Sequence, residues 1–140
     1  MESTISITSS MEDYLEAILE ITRESGSARI SEIAEKLDIA ASSVSEVIGK
    51  LAQMQLVTQK KYGPVLLTSK GRDYAEDISC RHKMIKEFLT NVLGVEDEIA
   101  ENDACMMEHV ISNVTMKHLV EYLAEENNIL ASPDCSSKFN

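Results

Sequence analysis

Apolar residues recur at helical spacing over Leu15, Ile18, Leu19 and Thr22, between a polar start at Thr8-Ser9-Ser10 and a stop at Ser25-Gly26-Ser27. This predicts a first helix, with Ser10 as its cap and Asp13 as the partner three residues on. The segment Ile30–Leu37 predicts a short amphipathic helix with Ile30, Ile33, Ala34 and Leu37 inward. Asp38-Ile39-Ala40 is a tight turn, and a second helix over Ala41–Leu51 is apolar at Val44, Val47, Ile48 and Leu51. The helical period then breaks. Leu56-Val57-Thr58 and Val65-Leu66-Leu67-Thr68 flank Lys60-Lys61-Tyr62-Gly63-Pro64, which reads as a hairpin around a Gly-Pro turn. Thr68-Ser69 caps a long helix that runs to about Val92 and stops at Gly94. Further helices are expected from roughly Asp97 to Ser112 and from Thr115 to Glu126, before Ser132-Pro133 opens a polar tail. The expected fold is therefore mainly α with one small β-hairpin.

Composition narrows the class. With 140 residues and 44% apolar content, the chain is long and apolar enough for a packed core. No stretch approaches the roughly 20 apolar residues of a membrane span. The first ten residues lack the basic and apolar runs of a secretory signal, so a cytoplasmic location is expected. Three widely spaced cysteines (Cys80, Cys105, Cys135) argue against a disulfide framework and for free thiols. The formal net charge of −11 is uneven: residues 39–72 carry five bases against Glu46 alone, +4, whereas residues 76–140 carry 13 acids against five bases, −8. Basic charge concentrated on one segment is what phosphate contact requires.

Helix, short helix, turn, helix and hairpin, in that order, are the parts of a winged helix-turn-helix, whose second paired helix enters the DNA major groove. Ala41, Ser42, Ser43, Ser45 and Glu46 are small or polar at the leading end of that helix, so it can approach base edges closely. Lys60 and Lys61 suit a wing lying along the phosphate backbone, and Lys50, Lys70 and Arg72 add phosphate contacts that weaken with salt. A three-helix unit with a hairpin also occurs as a protein-interaction module; the local basic charge favours DNA.

Six further residues carry potential metal chemistry. Asp13 and Glu16 share a face of the first helix, and Cys105, Glu108 and His109 share a face of a later one, with His82 on the long helix between. Thiolate, carboxylate and imidazole together suit a divalent first-row metal. Each residue has a plainer role: Asp13 in the helix cap, Glu16 as a solvated acid, His82 as a surface residue between Arg81 and Lys83, and Cys105 as a buried thiol. Three ligand types on one face of the helix bearing Met106, Met107, Val110 and Ile111 are harder to bury without a partner.

The segments Met11–Ile18, Ala40–Ser45, Leu66–Gly71, Arg81-His82 and Asn102–Val110 together resemble the diphtheria toxin repressor family of metal-dependent regulators, most of all its short manganese transport regulator branch. The likeness covers about residues 8–127 in order and spacing. It implies a winged helix-turn-helix over residues 1–72, an all-α dimerisation and metal-binding domain over 73–127 and a tail over 128–140. It further implies a homodimer on double-stranded operator DNA, with Asp13, Glu16, His82, Cys105, Glu108 and His109 at the metal-ligand positions. Longer relatives carry an SH3-like third domain for which this chain has no room.

The chain departs from both branches. Manganese-type members share Asp13 and Glu16 but have a carboxylate where Cys105 stands; iron-type members have the cysteine but usually a methionine where Asp13 stands. Lys86 and Glu101 stand where iron-type members place ancillary Glu and His ligands, and a charged lysine cannot ligate. Manganese prefers oxygen and nitrogen donors, so Cys105 tilts the expected cofactor toward Fe(II), while Asp13 and Glu16 keep Mn(II) in play. Metal uptake is the expected target of control. No membrane or protein partner is expected. A metal hydrolase is disfavoured because the sequence offers neither a substrate pocket nor a separate base. A regulator answering thiol oxidation at Cys105, or an organic ligand, is the alternative.

Overall fold

The computed structural model describes residues 7–126 together with Cys135, Lys138 and Phe139. The elements are α1 (Ser9–Ser25), α2 (Ile30–Leu37), α3 (Ala41–Gln53), β1 (Val57–Gln59), β2 (Val65–Leu67), α4 (Ser69–Glu87), a π-helical extension (Phe88–Val92), α5 (Asp97–Met107) and α6 (Asn113–Glu126). The chain divides into two compact units, Met1–Glu76 and Asp77–Asn140. The expected polar tail after Ser132-Pro133 lies almost wholly outside the described residues. Among the described residues, no helix is long and apolar enough to cross a membrane.

In the N-terminal unit α1 is the largest single contributor to the core. Leu15, Ile18 and Leu19 are fully enclosed, alongside Ile33 from α2, Val44, Ile48 and Leu51 from α3, and Leu56 and Val65 from the hairpin region. The cap of α1 is Thr8 rather than the expected Ser10: its side chain accepts from the Met11 N–H at 3.1 Å. The Ser10–Asp13 box does not form, because the helix begins at Ser9 and Ser10 is already inside it. Gly26 ends α1 at φ 88°, where a left-handed residue returns its N–H to the Thr22 carbonyl. Asp38, at φ 55°, makes the turn into α3.

β1 and β2 pair antiparallel, Val57 with Leu67 and Gln59 with Val65. Val65 also bridges Ala28, which joins the strand before α2 to the hairpin. At the tip the left-handed residue is Tyr62 (φ 60°) rather than a glycine of the expected Gly-Pro turn, and Tyr62 is 91% exposed.

Thr68 then seats α4. Its hydroxyl donates to the Gln55 carbonyl at 2.7 Å and accepts from the Gly71 N–H at 3.0 Å. Gly71 lies so close to Leu56 that an added Cβ would sit 1.8 Å from the Leu56 carbonyl oxygen. The C-terminal unit has its own core: Met84, Ile85 and Leu89 pack with Ala100, Ala104, Met116, Val120 and Leu123. Cys80 and Cys135 form a disulfide, with Cα atoms 5.3 Å apart. This corrects the expectation of three free thiols: the two cysteines are separated by 55 residues, so only the fold brings their Cα atoms into bonding range.

Because the Gly71 clash is with backbone, Gly71→Ala is expected to destabilise the N-terminal unit by about 3 kcal/mol, the upper end for overpacking. Urea unfolding of the two proteins would measure it, and an unchanged midpoint would contradict the close approach.

Candidate metal centre and DNA-reading face

The DNA-reading candidates lie in the N-terminal unit. Ala41, Ser42, Ser43, Ser45 and Glu46 are all exposed on α3, whose other face buries Val44, Ile48 and Leu51. Lys60 and Lys61 are exposed at the hairpin turn. Lys50 is exposed too, but its ammonium lies 4.0 Å from Glu46 one turn earlier, so its charge is partly answered on its own helix. A groove beside α3 is lined by Arg29, Ile30, Ser31, Ser45, Gln59 and Tyr62. Arg29 and Tyr62 escaped the sequence reading. Arg29 falls outside the basic stretch counted there, and only the fold carries it to the flank of Ser45.

The metal candidates divide between the units. Asp13 and Glu16 sit one turn apart on α1 in the N-terminal unit. His82, Cys105, Glu108 and His109 belong to the C-terminal unit, where His82, Cys105 and Glu108 each bring one donor atom within 4.8 Å of the others. The same spacing relates Glu108 to His109. Metal–ligand distances of about 2.0–2.3 Å allow ligand atoms up to roughly 4.6 Å apart across an ion, so this clustering fits a metal. So does its chemistry: thiol, imidazole and carboxylate converge on a carboxylate whose side chain is fully buried.

His82 is not the surface histidine that its charged neighbours suggest. Its side chain is only 13% exposed, with Nδ1 3.5 Å from a Glu108 oxygen and 3.8 Å from the Cys105 sulfur, and Nε2 2.9 Å from Glu101. Cys105 is exposed and lies outside the disulfide.

A second correction concerns α5, which ends at Met107 instead of running to Ser112. Glu108 keeps helical backbone angles as the C-cap, so it stays on the Cys105 face, while His109 falls in the turn beyond. Arg81 on α4 satisfies this end. Its guanidinium donates to the carbonyls of Glu108 and Ile111 and to the side chain of Asn113, acceptors that the helix end leaves open. Arg81 is the structural residue that sequence reasoning passed over: it lies among charged neighbours, and its partners around the end of α5 are at least 27 positions away.

Electrostatics follow from this packing. Glu108, against burial, and then Glu101 hold a proton on His82, raising its pKa from 6.5 to about 9. Burial disfavours the charged form of Glu101, yet His82 and Lys86 outweigh it and lower that carboxyl. Lys86 is 3.0 Å from Glu101 and 3.4 Å from Asp97, and the Glu101 carboxylate raises its pKa.

A winged helix-turn-helix followed by a helical unit that gathers thiol, imidazole and carboxylate defines a metal-dependent DNA-binding regulator. The comparisons make this specific. Residues 6–65 match the family model described as the iron dependent repressor N-terminal DNA binding domain, and residues 68–128 the one described as the iron dependent repressor metal binding and dimerisation domain. The chain is 42% identical over 105 residues to the HTH-type transcriptional regulator MntR of Oceanobacillus iheyensis, covering 75% of this chain and 71% of that protein. It is 37% identical over 123 residues to MntR of Bacillus subtilis, covering 86% of each. Among solved structures, the manganese regulator SloR is 34% identical with a TM-score of 0.72, covering 81% of this chain; the chain spans 53% of that longer protein. The chain belongs to the iron-dependent repressor family. It is a metal-dependent transcriptional repressor and not an enzyme.

The raised His82 pKa carries a sign. Its folded value lies above the ordinary one, so the imidazolium stabilises the metal-free fold fully below about pH 6.5. That contribution, on the order of 3 kcal/mol, is lost as pH rises through about 9. In metal-free protein the His82 ring signals are expected to titrate by NMR with a midpoint near 9; a midpoint at the ordinary value would refute the ion-paired site.

Proposed function

We propose that this chain is a cytoplasmic homodimer that binds operator DNA and represses metal-uptake genes when Asp13, Glu16, His82, Cys105, Glu108 and His109 hold Fe(II) or Mn(II). The observation that carries it is the convergence of His82 and Cys105 on the buried Glu108, in a chain whose other unit presents a DNA-reading helix. Ile99, Met106, Val110 and Val114 are exposed in the C-terminal unit and offer apolar surface for a second copy to cover.

A bound dication would supply the charge that allows several carboxylates to share one site. With that charge present, Asp13 and Glu16 tie α1 to the C-terminal unit. Since α1 is the core of the reading unit, its position sets where α3 points. Two α3 helices held at fixed separation match two operator half-sites. Without the ion the carboxylates repel, and α1 is released from that constraint. A hundredfold gain in DNA affinity needs only about 2.7 kcal/mol of such coupling. Ser42, Ser43 and Ser45 face bases, while Lys50, Lys60 and Lys61 answer phosphates. Arg29, in the groove beside Ser45, adds a phosphate contact.

Cys105 favours Fe(II), because a thiolate suits softer ions than manganese. The manganese reading is favoured by the names of the relatives, two of them MntR and one the manganese regulator SloR. Both are separable by anaerobic anisotropy on DNA upstream of the gene, titrating Fe(II), Mn(II), Co(II) or Zn(II) into metal-free protein. A metal-dependent gain of about a hundredfold is expected. Asp13→Ala and Glu108→Ala should each abolish the gain while leaving the dimer folded, and retention in both would sink the proposal. Cys105→Glu should shift preference toward Mn(II). Arg29→Ala should weaken DNA binding at every sequence alike and reduce the salt slope by about one; a slope equal to wild type would remove Arg29 from the interface.

A further inference from the structure

Resting on that reading of the metal centre, we infer that Glu101 and Lys86 are its positioning residues: Glu101 grips His82 through Nε2 so that Nδ1 faces Cys105 and Glu108, and Lys86 locks Glu101 in that pose. Neither residue is a ligand in this assignment.

The argument starts from the two faces of one ring. A neutral imidazole has one N–H and one lone pair, and whichever nitrogen faces a hydrogen-bond acceptor keeps the proton. His82 Nε2 lies 2.9 Å from Glu101 Oε1, and an ionised carboxylate only accepts. Nε2 is the nitrogen nearer its carboxylate, so of the two imidazolium protons the one on Nε2 is the one kept when a metal is held. Nδ1, which lies 3.5 Å from Glu108 and 3.8 Å from Cys105, is then the nitrogen that gives up its proton and offers a lone pair. A ligating histidine whose other N–H is held by a carboxylate has its ring orientation and its tautomer set together.

The carboxylate is itself held. Its second oxygen, Oε2, lies 3.0 Å from the Lys86 ammonium, which also reaches Asp97 at 3.4 Å. Engaged on both oxygens, the Glu101 carboxylate is held in the pose that faces His82. The layering repeats on both helices. On α4, Lys86 follows His82 by one turn; on α5, Glu101 precedes Cys105 by one turn. Each helix thus contributes one inner donor and, one turn away, one outer residue that meets its counterpart across the pair. Lys86, unable to ligate while charged, fits this outer place and no inner one.

The test uses the whole 140-residue chain with two probes. Zn(II)-loaded protein, labelled with nitrogen-15, should show a His82 Nε2–H proton protected from exchange. Co(II) should give a thiolate-to-cobalt absorption band that disappears in Cys105→Ser. Glu101→Ala should weaken Co(II) binding by roughly 10- to 100-fold at unchanged stoichiometry and lose the protected proton. Glu101→Gln, whose amide oxygen still accepts from Nε2–H, should recover most of the affinity. Lys86→Met should fall between wild type and Glu101→Ala, with Lys86→Arg close to wild type. Metal-free melting temperatures separate these effects from general destabilisation. If Glu101 were a ligand, Glu101→Gln would be as damaging as Glu101→Ala and no Nε2–H would be seen, which overturns the assignment. Wild-type affinity in Glu101→Ala, with the thiolate band intact, overturns it while leaving the metal centre standing. Absence of the thiolate band in wild-type protein overturns the metal centre and this inference with it.

Discussion

A carboxylate removed from water at the end of α5 sets the terms for everything around it. The Glu108 side chain is fully buried, and a buried negative charge needs a matching positive one close by. His82 provides it as an imidazolium in the metal-free chain. On the proposed function a dication would take the same place, with His82 giving up its proton to become a ligand. The two states would answer one electrostatic demand in different ways, so proton and metal would compete at this site. Breaking either partnership is costlier than its attraction alone suggests, since the remaining charge stays buried.

That demand is met only because the backbone around Glu108 is pinned. Arg81 sits next to His82 in sequence, and its guanidinium collects the carbonyls of Glu108 and Ile111 with the Asn113 side chain. It also pairs with Asp77 one turn back on α4. Adjacent residues of α4 thus do complementary tasks: Arg81 fixes the main chain of the α5–α6 turn, and His82 meets the side chain that the turn presents. Placing Glu108 at the C-cap, rather than within the helix, lets one residue be tied through its carbonyl and its carboxylate to neighbouring points on one helix. A site built this way has little freedom to widen.

Much of this was readable in advance, for reasons specific to each element. α2 was expected at Ile30–Leu37 and is found there, because its apolar period is clean and Asp38 can adopt the left-handed turn. The hairpin strands followed from two β-rich runs around a turn, and the long helix from the Thr68 start. The cap of α1 was ambiguous because Thr8, Ser9 and Ser10 are all competent, and only backbone geometry selects Thr8. The end of α5 was not legible, since the guanidinium that satisfies its carbonyls lies 27 positions earlier in the chain. Local charge misled at His82: one helix turns Lys83 to solvent and its two predecessors inward. The Cys80–Cys135 pair had no local signal at all. At the candidate metal centre, spacing grouped Cys105, Glu108 and His109, the family resemblance placed His82 with them, and the fold brings His82 beside Cys105 and Glu108; the outer partners Glu101 and Lys86 were visible only as departures from a pattern.

The distribution of charge gives the two units different relations to DNA. The acidic excess of residues 76–140 repels phosphate, whereas the basic stretch of residues 39–72 attracts it. In a chain with net charge −11, attraction to DNA is therefore concentrated on the basic stretch that carries α3 and the wing. The same asymmetry weakens non-specific binding, because most of the surface is repelled by any duplex. On the proposed function, affinity then depends on both reading heads engaging together, and a few kcal/mol of metal-linked constraint on α1 decides it. A more basic protein would hold DNA with or without metal; an acidic C-terminal unit lowers the intrinsic affinity into the range that such a coupling can govern.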